Sequence, residues 1–217
     1  MGIGAGSVLT AMTTSAIELA RSPQDGSFAR LRPLVAEDSE LTLRWRLSER
    51  AVQLNRGSTS VEQQRAWIQG RPTTELNYLI ETRDQTPVGM LSLIDIDLTH
   101  RRAEAARFLL GDEAATRGLP IAVEAMKLLY SVAFDRLGLA RVYGSVIEDN
   151  PRMLKWQKYF GMQVEGRLRQ HIFIDGRLQD LIIVGILEPE FRAIALPRMD
   201  GLIALAGTLS HVAKEPE

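Results

Sequence analysis

The chain contains no cysteine. That excludes a disulfide framework, a thiolate metal ligand and a cysteine nucleophile able to carry an acyl group. Only 3 histidines occur in 217 residues, so a zinc site is not expected. No uninterrupted run of about 18 apolar residues exists, so no membrane span is expected. The small, apolar stretch through Ala20 lacks a basic start and is broken by Glu18, so it does not read as a secretory signal. A net charge of −1 gives no bulk electrostatic drive toward nucleic acid. What remains is an ordinary composition, 45% hydrophobic and 24% charged, enough for one good-sized core. The expectation is a cytoplasmic chain with no metal, nucleic acid or membrane partner.

Hydrophobic periodicity orders the elements. Residues 1–27 read as an N-terminal extension, either loose or serving as a dimer or lid contact, so a homodimer stays open. Ala29 to Val35 alternates like a strand. Helices follow after Glu37-Asp38-Ser39 and from Ser60, the second ended by Pro72. Strands are expected at Asn77–Glu81, Val88–Asp97 and Ala103–Leu110. A helix runs from Pro120 to Leu137 and stops at Gly138. Ala140–Ile147 is a strand, and Asp149-Asn150-Pro151 opens another helix. A hairpin pairs Gln170–Ile174 with Arg177–Val184 around Asp175-Gly176. A helical tail occupies 188–217. This order predicts an α/β chain of the α+β kind, with a mixed, mostly antiparallel sheet flanked by helices over residues 28–187.

The stretch from Arg107 to Ala125 carries the first chemical signal. A buried strand, Phe108 to Leu110, runs into a small polar loop that ends on Pro120. A loop delivering the chain to a helix N-terminus is an anion site, because free N–H groups and the positive end of the dipole meet there.

Three segments then resemble the GNAT superfamily of N-acetyltransferases. Arg117-Gly118-Leu119-Pro120-Ile121-Ala122 is similar to the family's pyrophosphate loop, with Pro120 where a central glycine is usual. Asn150 to Met162 is similar to its coenzyme-side helix, with Gln157 at the position of a frequent tyrosine general acid. Glu165 to Asp180 is like the branch that includes ribosomal-protein and amino-sugar acetyltransferases. Ser92 to Asp97 with His100 to Glu104 looks most like enzymes acting on a nucleotide-linked amino sugar in pseudaminic-acid synthesis.

The resemblance implies the GNAT fold, acetyl-coenzyme A as co-substrate and no metal. It places Phe108, Leu109, Leu110, Arg117, Gly118, Leu119, Ile121, Ala122, Asn150 and Arg152 on the coenzyme. Leu110 would offer its amide to the thioester oxygen, a preorganised donor of the kind that lowers such barriers most. Glu104 is the preferred base for the amine, against a plain surface carboxylate paired with Arg101 or Arg102. Asp95 and Asp97, placed on one face by strand alternation, would line the acceptor site. Arg101, Arg102 and Arg107 would meet a diphosphate on the acceptor. Trp45, Trp67 and Trp156 read as packing residues first, with a ring-stacking role as the alternative. The small-molecule acceptor is a primary amine, first a nucleotide-linked amino sugar, then a protein N-terminus, an aminoglycoside or a polyamine. With no cysteine, transfer is direct, in a ternary complex. The competing reading is a non-catalytic acyl-coenzyme-A-binding module.

Overall fold

The computed structural model describes residues 16–54, 57–174 and 176–212. Eight strands form one sheet in the order β1-β2-β3-β4-β5-β6-β8-β7. They are β1 (Gln24–Asp25), β2 (Ala29–Pro33), β3 (Leu76–Thr82), β4 (Pro87–Asp97), β5 (Arg102–Leu110), β6 (Arg141–Ile147), β7 (Gln163–Ile174) and β8 (Arg177–Leu187). Every neighbouring pair is antiparallel except β5 and β6. A parallel pair needs a crossover, and the helix α4 (Ile121–Ser131) supplies it. The mixed, mostly antiparallel sheet flanked by helices is the architecture the element order predicts.

The helices are α1 (Ser39–Arg46), α2 (Val61–Gln69), α3 (Glu113–Thr116), α4, α5 (Pro151–Tyr159), α6 (Glu188–Glu190) and α7 (Leu196–Val212). Ser60, Asp112 and Asn150 each cap a helix with a side-chain oxygen, which is why these polar residues mark the starts. The helix expected to run unbroken to Leu137 instead passes into a π turn, Val132–Arg136, where the Leu137 N–H reaches Val132 O at 3.0 Å. Gly138, at φ +61, then turns the chain away.

The two sheet faces are covered unequally. On one, α4 and the π turn after it bury Ile121, Ala125, Met126, Leu129 and Phe134 against Leu31, Leu91, Val142 and Val184. On the other, α1 and α2 cover a smaller core of Trp45, Ala51, Leu79, Met90 and Leu109. The N-terminal segment is more than an extension where it is described. Ile17 and Ala20 are buried in the larger core, and Gln24 pairs with Leu31. Glu124 ties this segment to α4: its carboxylate accepts from the N–H groups of Ser27, Phe28 and Ala29 at 2.7, 2.6 and 2.6 Å. Residues 1–15, 55–56, 175 and 213–217 lie outside the described residues, and with them most of the N-terminal extension, half of the hairpin turn and the end of the expected helical tail.

Candidate active site

Strands β5 and β6 pair only over Arg102–Glu104 and Arg141–Tyr143. Beyond that rung they part. Two features hold them apart. The register of β5 against β4 slips between Ser92 and Met90, where Arg107 sits at φ +56. Such a bulge bends its strand. Strand β6 meanwhile is held along its whole length by β8 on its other edge. Gly144, just past the last rung, marks where the backbones still crowd: a Cβ there would lie 3.2 Å from Ala105 O.

The gap is a cavity of about 450 Å³. Phe108, Leu109 and Leu110 form one wall and Gly144 to Ile147 the other. Its floor and mouth come from Ala122 and Met126 of α4 and from Asn150, Arg152, Met153, Trp156 and Gln157. Trp156 stacks on Phe108 with ring centroids 5.8 Å apart, so the first wall is joined to the α5 side of the cavity by an aromatic contact.

The start of α4 opens beside this cavity. Pro120 is the N-cap rather than the first helical residue, and its carbonyl accepts from the Glu124 N–H at 2.9 Å. The amides of Ile121, Ala122 and Val123 have no backbone acceptor among the described residues, as helix geometry requires of a first turn. The Leu119 amide is spent on Thr116 O, at 3.1 Å. Ala122 lines the cavity, whereas Arg117, Gly118, Leu119 and Ile121 do not. Three free amides at a helix start fit a pyrophosphate, and the long apolar cleft leading from them fits an extended arm.

Leu110 faces that cleft by strand alternation. The Gly111 N–H points the other way, to Val88 O at 2.9 Å, so the Leu110 amide and carbonyl turn toward the open edge. The carbonyl there accepts from Arg50 Nε at 2.9 Å. Asn150 Oδ1 is used as the cap of α5, accepting from the Met153 N–H at 3.0 Å. Its Nδ2 donor is left without a partner among the described residues.

Glu104 stands at the root of the split, opposite Tyr143. Ser145 Oγ donates to its Oε1 at 3.0 Å. Burial pushes the carboxyl above its ordinary range; the Ser145 bond opposes this, nearby Asp95 adds to it, and Arg107 opposes it. Glu104 makes no ion pair with Arg101 or Arg102. Arg101 Nε donates to Gly138 O at 2.9 Å, and Arg102 lies 3.7 Å from Asp97. Neither arginine lines the cavity. Burial also raises the Tyr143 phenol, with the charge of Glu104 as the second cause.

The shared face expected for Asp95 and Asp97 is broken by a second register slip, between Ile94 and Asp97, with Asp95 at φ +50. Asp95 is exposed and sits in the field of Glu104 and Tyr143. Asp97 turns instead to the following loop, accepting from the His100 N–H at 2.9 Å with His100 Nδ1 at 2.6 Å. Those bonds hold its carboxyl below the usual range.

Sequence reasoning missed Arg50, Gln53 and Ser145. Arg50 and Gln53 belong to a short segment after α1 that spans the split, bonding to Leu110 O and, at 3.0 Å, to Asp149 O. No local pattern announces them. Ser145 was readable only as a polar position within a strand.

The geometry invites comparison with known proteins. Residues 29–163 match the family model described as the acetyltransferase (GNAT) domain. The chain belongs to the GNAT acetyltransferase family. The GNAT assignment covers the whole sheet from β2 to the start of β7, and so the split between β5 and β6. Spermidine N(1)-acetyltransferase of Escherichia coli K12 is 29% identical over 120 residues, covering 55% of this chain and 62% of that enzyme. The match thus spans less than two thirds of that relative's length. A putative acetyltransferase from T. thermophilus shares the GNAT fold at a TM-score of 0.69 and 25% identity, over 84% of this chain and 97% of that one. The spermidine N-acetyltransferase of Vibrio cholerae, solved with CoA and spermine, superposes at a TM-score of 0.67 with 22% identity. It covers 76% of this chain and 99% of that one, a likeness of fold. Among the described residues no helix is long and apolar enough to cross a membrane.

Proposed function

We propose that this protein is an acetyl-coenzyme-A-dependent N-acetyltransferase that acetylates a small primary amine by direct transfer in a ternary complex. The observation that carries the reading is Glu104: a half-buried carboxyl with a raised pKa, free of an ion pair among the described residues, at the root of a split whose mouth is a helix N-terminus. The coenzyme supplies an activated acetyl thioester. The chain's own groups do the rest. Amides of Ile121, Ala122 and Val123 hold the pyrophosphate. Asn150 Nδ2 donates to the extended arm, and the Leu110 amide, fixed by strand geometry, faces the position of the thioester oxygen. Glu104 takes a proton from the incoming ammonium, directly or through water, and the raised pKa keeps it basic enough to do so. Gln157, buried in the groove wall, has no proton to give as an acid.

Two acceptor classes remain within this reading. The curated relatives favour a polyamine, and Asp95 beside Glu104 would add a second carboxylate for one. The likeness of Ser92–Asp97 and His100–Glu104 to amino-sugar enzymes favours a nucleotide-linked amino sugar. The test is release of free coenzyme thiol from acetyl-coenzyme A across a panel holding both. Tight coenzyme binding with no release for any amine supports a non-catalytic module instead.

A further inference from the structure

Most polar side chains that line the cavity are already spent. Arg107 donates to Glu75 Oε2 and Asn77 Oδ1 at 2.8 and 2.9 Å. Arg50 and Gln53 donate to Leu110 O and Asp149 O, and Ser145 donates to Glu104. Two carboxamides at α5 differ. Asn150 spends Oδ1 on the Met153 N–H and keeps Nδ2 free among the described residues. Gln157 is only 8% exposed, and its Oε1 is buried with no hydrogen-bond partner among the described residues. Met153 Sδ, 3.9 Å from Gln157 Nε2, can only accept, so it fixes which end of the carboxamide carries the unpaired oxygen. A carbonyl oxygen sealed from water and left unpaired costs free energy, and an N–H brought by a ligand relieves it.

The two carboxamides share a face. Asn150 and Gln157 are seven residues apart, within about 20° of two full helical turns, and the rise between them is about 10 Å. Both line the cavity, with Met153 and Trp156 between them. The helix runs from the mouth of the split toward its root. It starts just past Ile147, and the strand after it begins at Gln163, which pairs with Gly185, itself opposite Tyr143. Gln157 therefore lies deeper than Asn150. Along the cleft α5 presents a donor, an apolar stretch and then an acceptor. The arm of coenzyme A is complementary: two amide groups separated by methylenes, the second of them next to the thioester.

We infer that Gln157 recognises the thioester end of the arm, its Oε1 accepting the arm's last amide N–H while Asn150 Nδ2 donates to a carbonyl nearer the pyrophosphate. This rests on the acetyltransferase reading and adds a positioning residue to it. Gln157, which has no proton to give, thus acts as an acceptor.

The test is calorimetric titration with three ligands: coenzyme A, adenosine 3′-phosphate 5′-diphosphate, which lacks the arm, and a coenzyme A analogue with an ester in place of the amide nearest the thiol. The parent should bind the ester analogue about five- to tenfold more weakly than coenzyme A, the effect of one hydrogen bond. Gln157→Met keeps the length of the side chain and removes the oxygen. It should bind coenzyme A more weakly by about the same factor, bind the two arm-bearing ligands alike, and bind the armless nucleotide as the parent does. Its Tm without ligand should equal or exceed the parent's, because an unanswered buried oxygen is gone. A glutamine with a structural role alone would show the reverse, a lower Tm with coenzyme affinity kept. Gln157→Leu repeats the comparison with a second side chain. Equal binding of coenzyme A and its ester analogue by the parent overturns the inference, whatever the variants do. So does a preference that survives in Gln157→Met and Gln157→Leu, or a loss of affinity shared by the armless nucleotide. A protein that binds coenzyme A without this preference loses this inference alone, whereas one that fails to bind coenzyme A loses the acetyltransferase reading.

Discussion

Ser145 Oγ donates a hydrogen bond to Glu104 Oε1 at 3.0 Å, joining the two strands where their backbones stop pairing. The bond stabilises the charged carboxylate, against a burial that disfavours it. The pKa of the proposed base is thus a balance of the two. Glu104→Gln should lower kcat/KM by about 10²- to 10⁴-fold, the usual worth of a general base. In the parent, the acid limb of the kcat/KM profile should lie above the ordinary carboxylate range, and in Glu104→Gln it should vanish. Ser145→Ala removes a bond to the anion, so its acid limb should move to higher pH. A limb unmoved in both variants removes Glu104 from the chemistry.

The same shift has a consequence for stability. The folded state binds the Glu104 proton more tightly than the unfolded state does. This group therefore favours folding most below its unfolded pKa, and the advantage is lost as pH rises through the folded value. Glu104→Gln should leave Tm at neutral pH equal to or above the parent's while activity falls. A clear drop in Tm would mean that the carboxylate is structural.

Asn150 has two duties that substitution can separate. Asn150→Ala loses the cap on α5 and should cost about 1 kcal/mol of stability as well as coenzyme affinity. Asn150→Ser keeps a capping oxygen but lacks the Nδ2 donor. It should hold Tm near the parent's while the dissociation constant for coenzyme A rises. If Asn150→Ser binds coenzyme A as the parent does, the donor has no part in binding.

Pro120 is the N-cap of α4. Pro120→Ala should lower stability by about 0.5 to 1 kcal/mol by freeing the unfolded chain. Coenzyme affinity should stay within about twofold, because the first-turn amides that follow Pro120 are already free to bind anions. A large change in affinity, read by titration, would show that the proline itself sets the loop for phosphate.

Glu124 accepts three backbone N–H bonds from the turn before β2. Glu124→Ala would leave those donors unanswered, at about 1–3 kcal/mol for the buried Ala29 N–H and less for the more exposed Ser27 and Phe28. Denaturant unfolding should show a loss of at least about 2 kcal/mol. Gly111→Ala probes the other face, since a Cβ there would meet the Trp45 ring at 2.1 Å. The ring must move, at a cost of about 1–3 kcal/mol, and Leu110 beside it should move too. Its checks are Tm together with the coenzyme KM.

Local chemistry made much of this molecule readable from residues alone. Capping oxygens at Ser60 and Asn150 and the stop at Gly138 are decided within one turn of chain, so their sequence signals sufficed. The wide apolar stripe from Ile121 to Phe134 needed a sheet to lie on and has one. The absence of cysteine ruled out an acyl-enzyme through a thiol without any coordinates. Tertiary structure decided the rest, because it depends on how distant strands register. Bulges at Asp95 and Arg107 break the two-residue alternation, so Asp97 turns to His100 and Arg107 reaches Glu75. Ser145 meets Glu104 across 41 residues, and Gln53 meets Asp149 across 96. No periodicity encodes such pairs. They arise where burial, strand register and charge must be satisfied together, and in this protein that place is the split between β5 and β6.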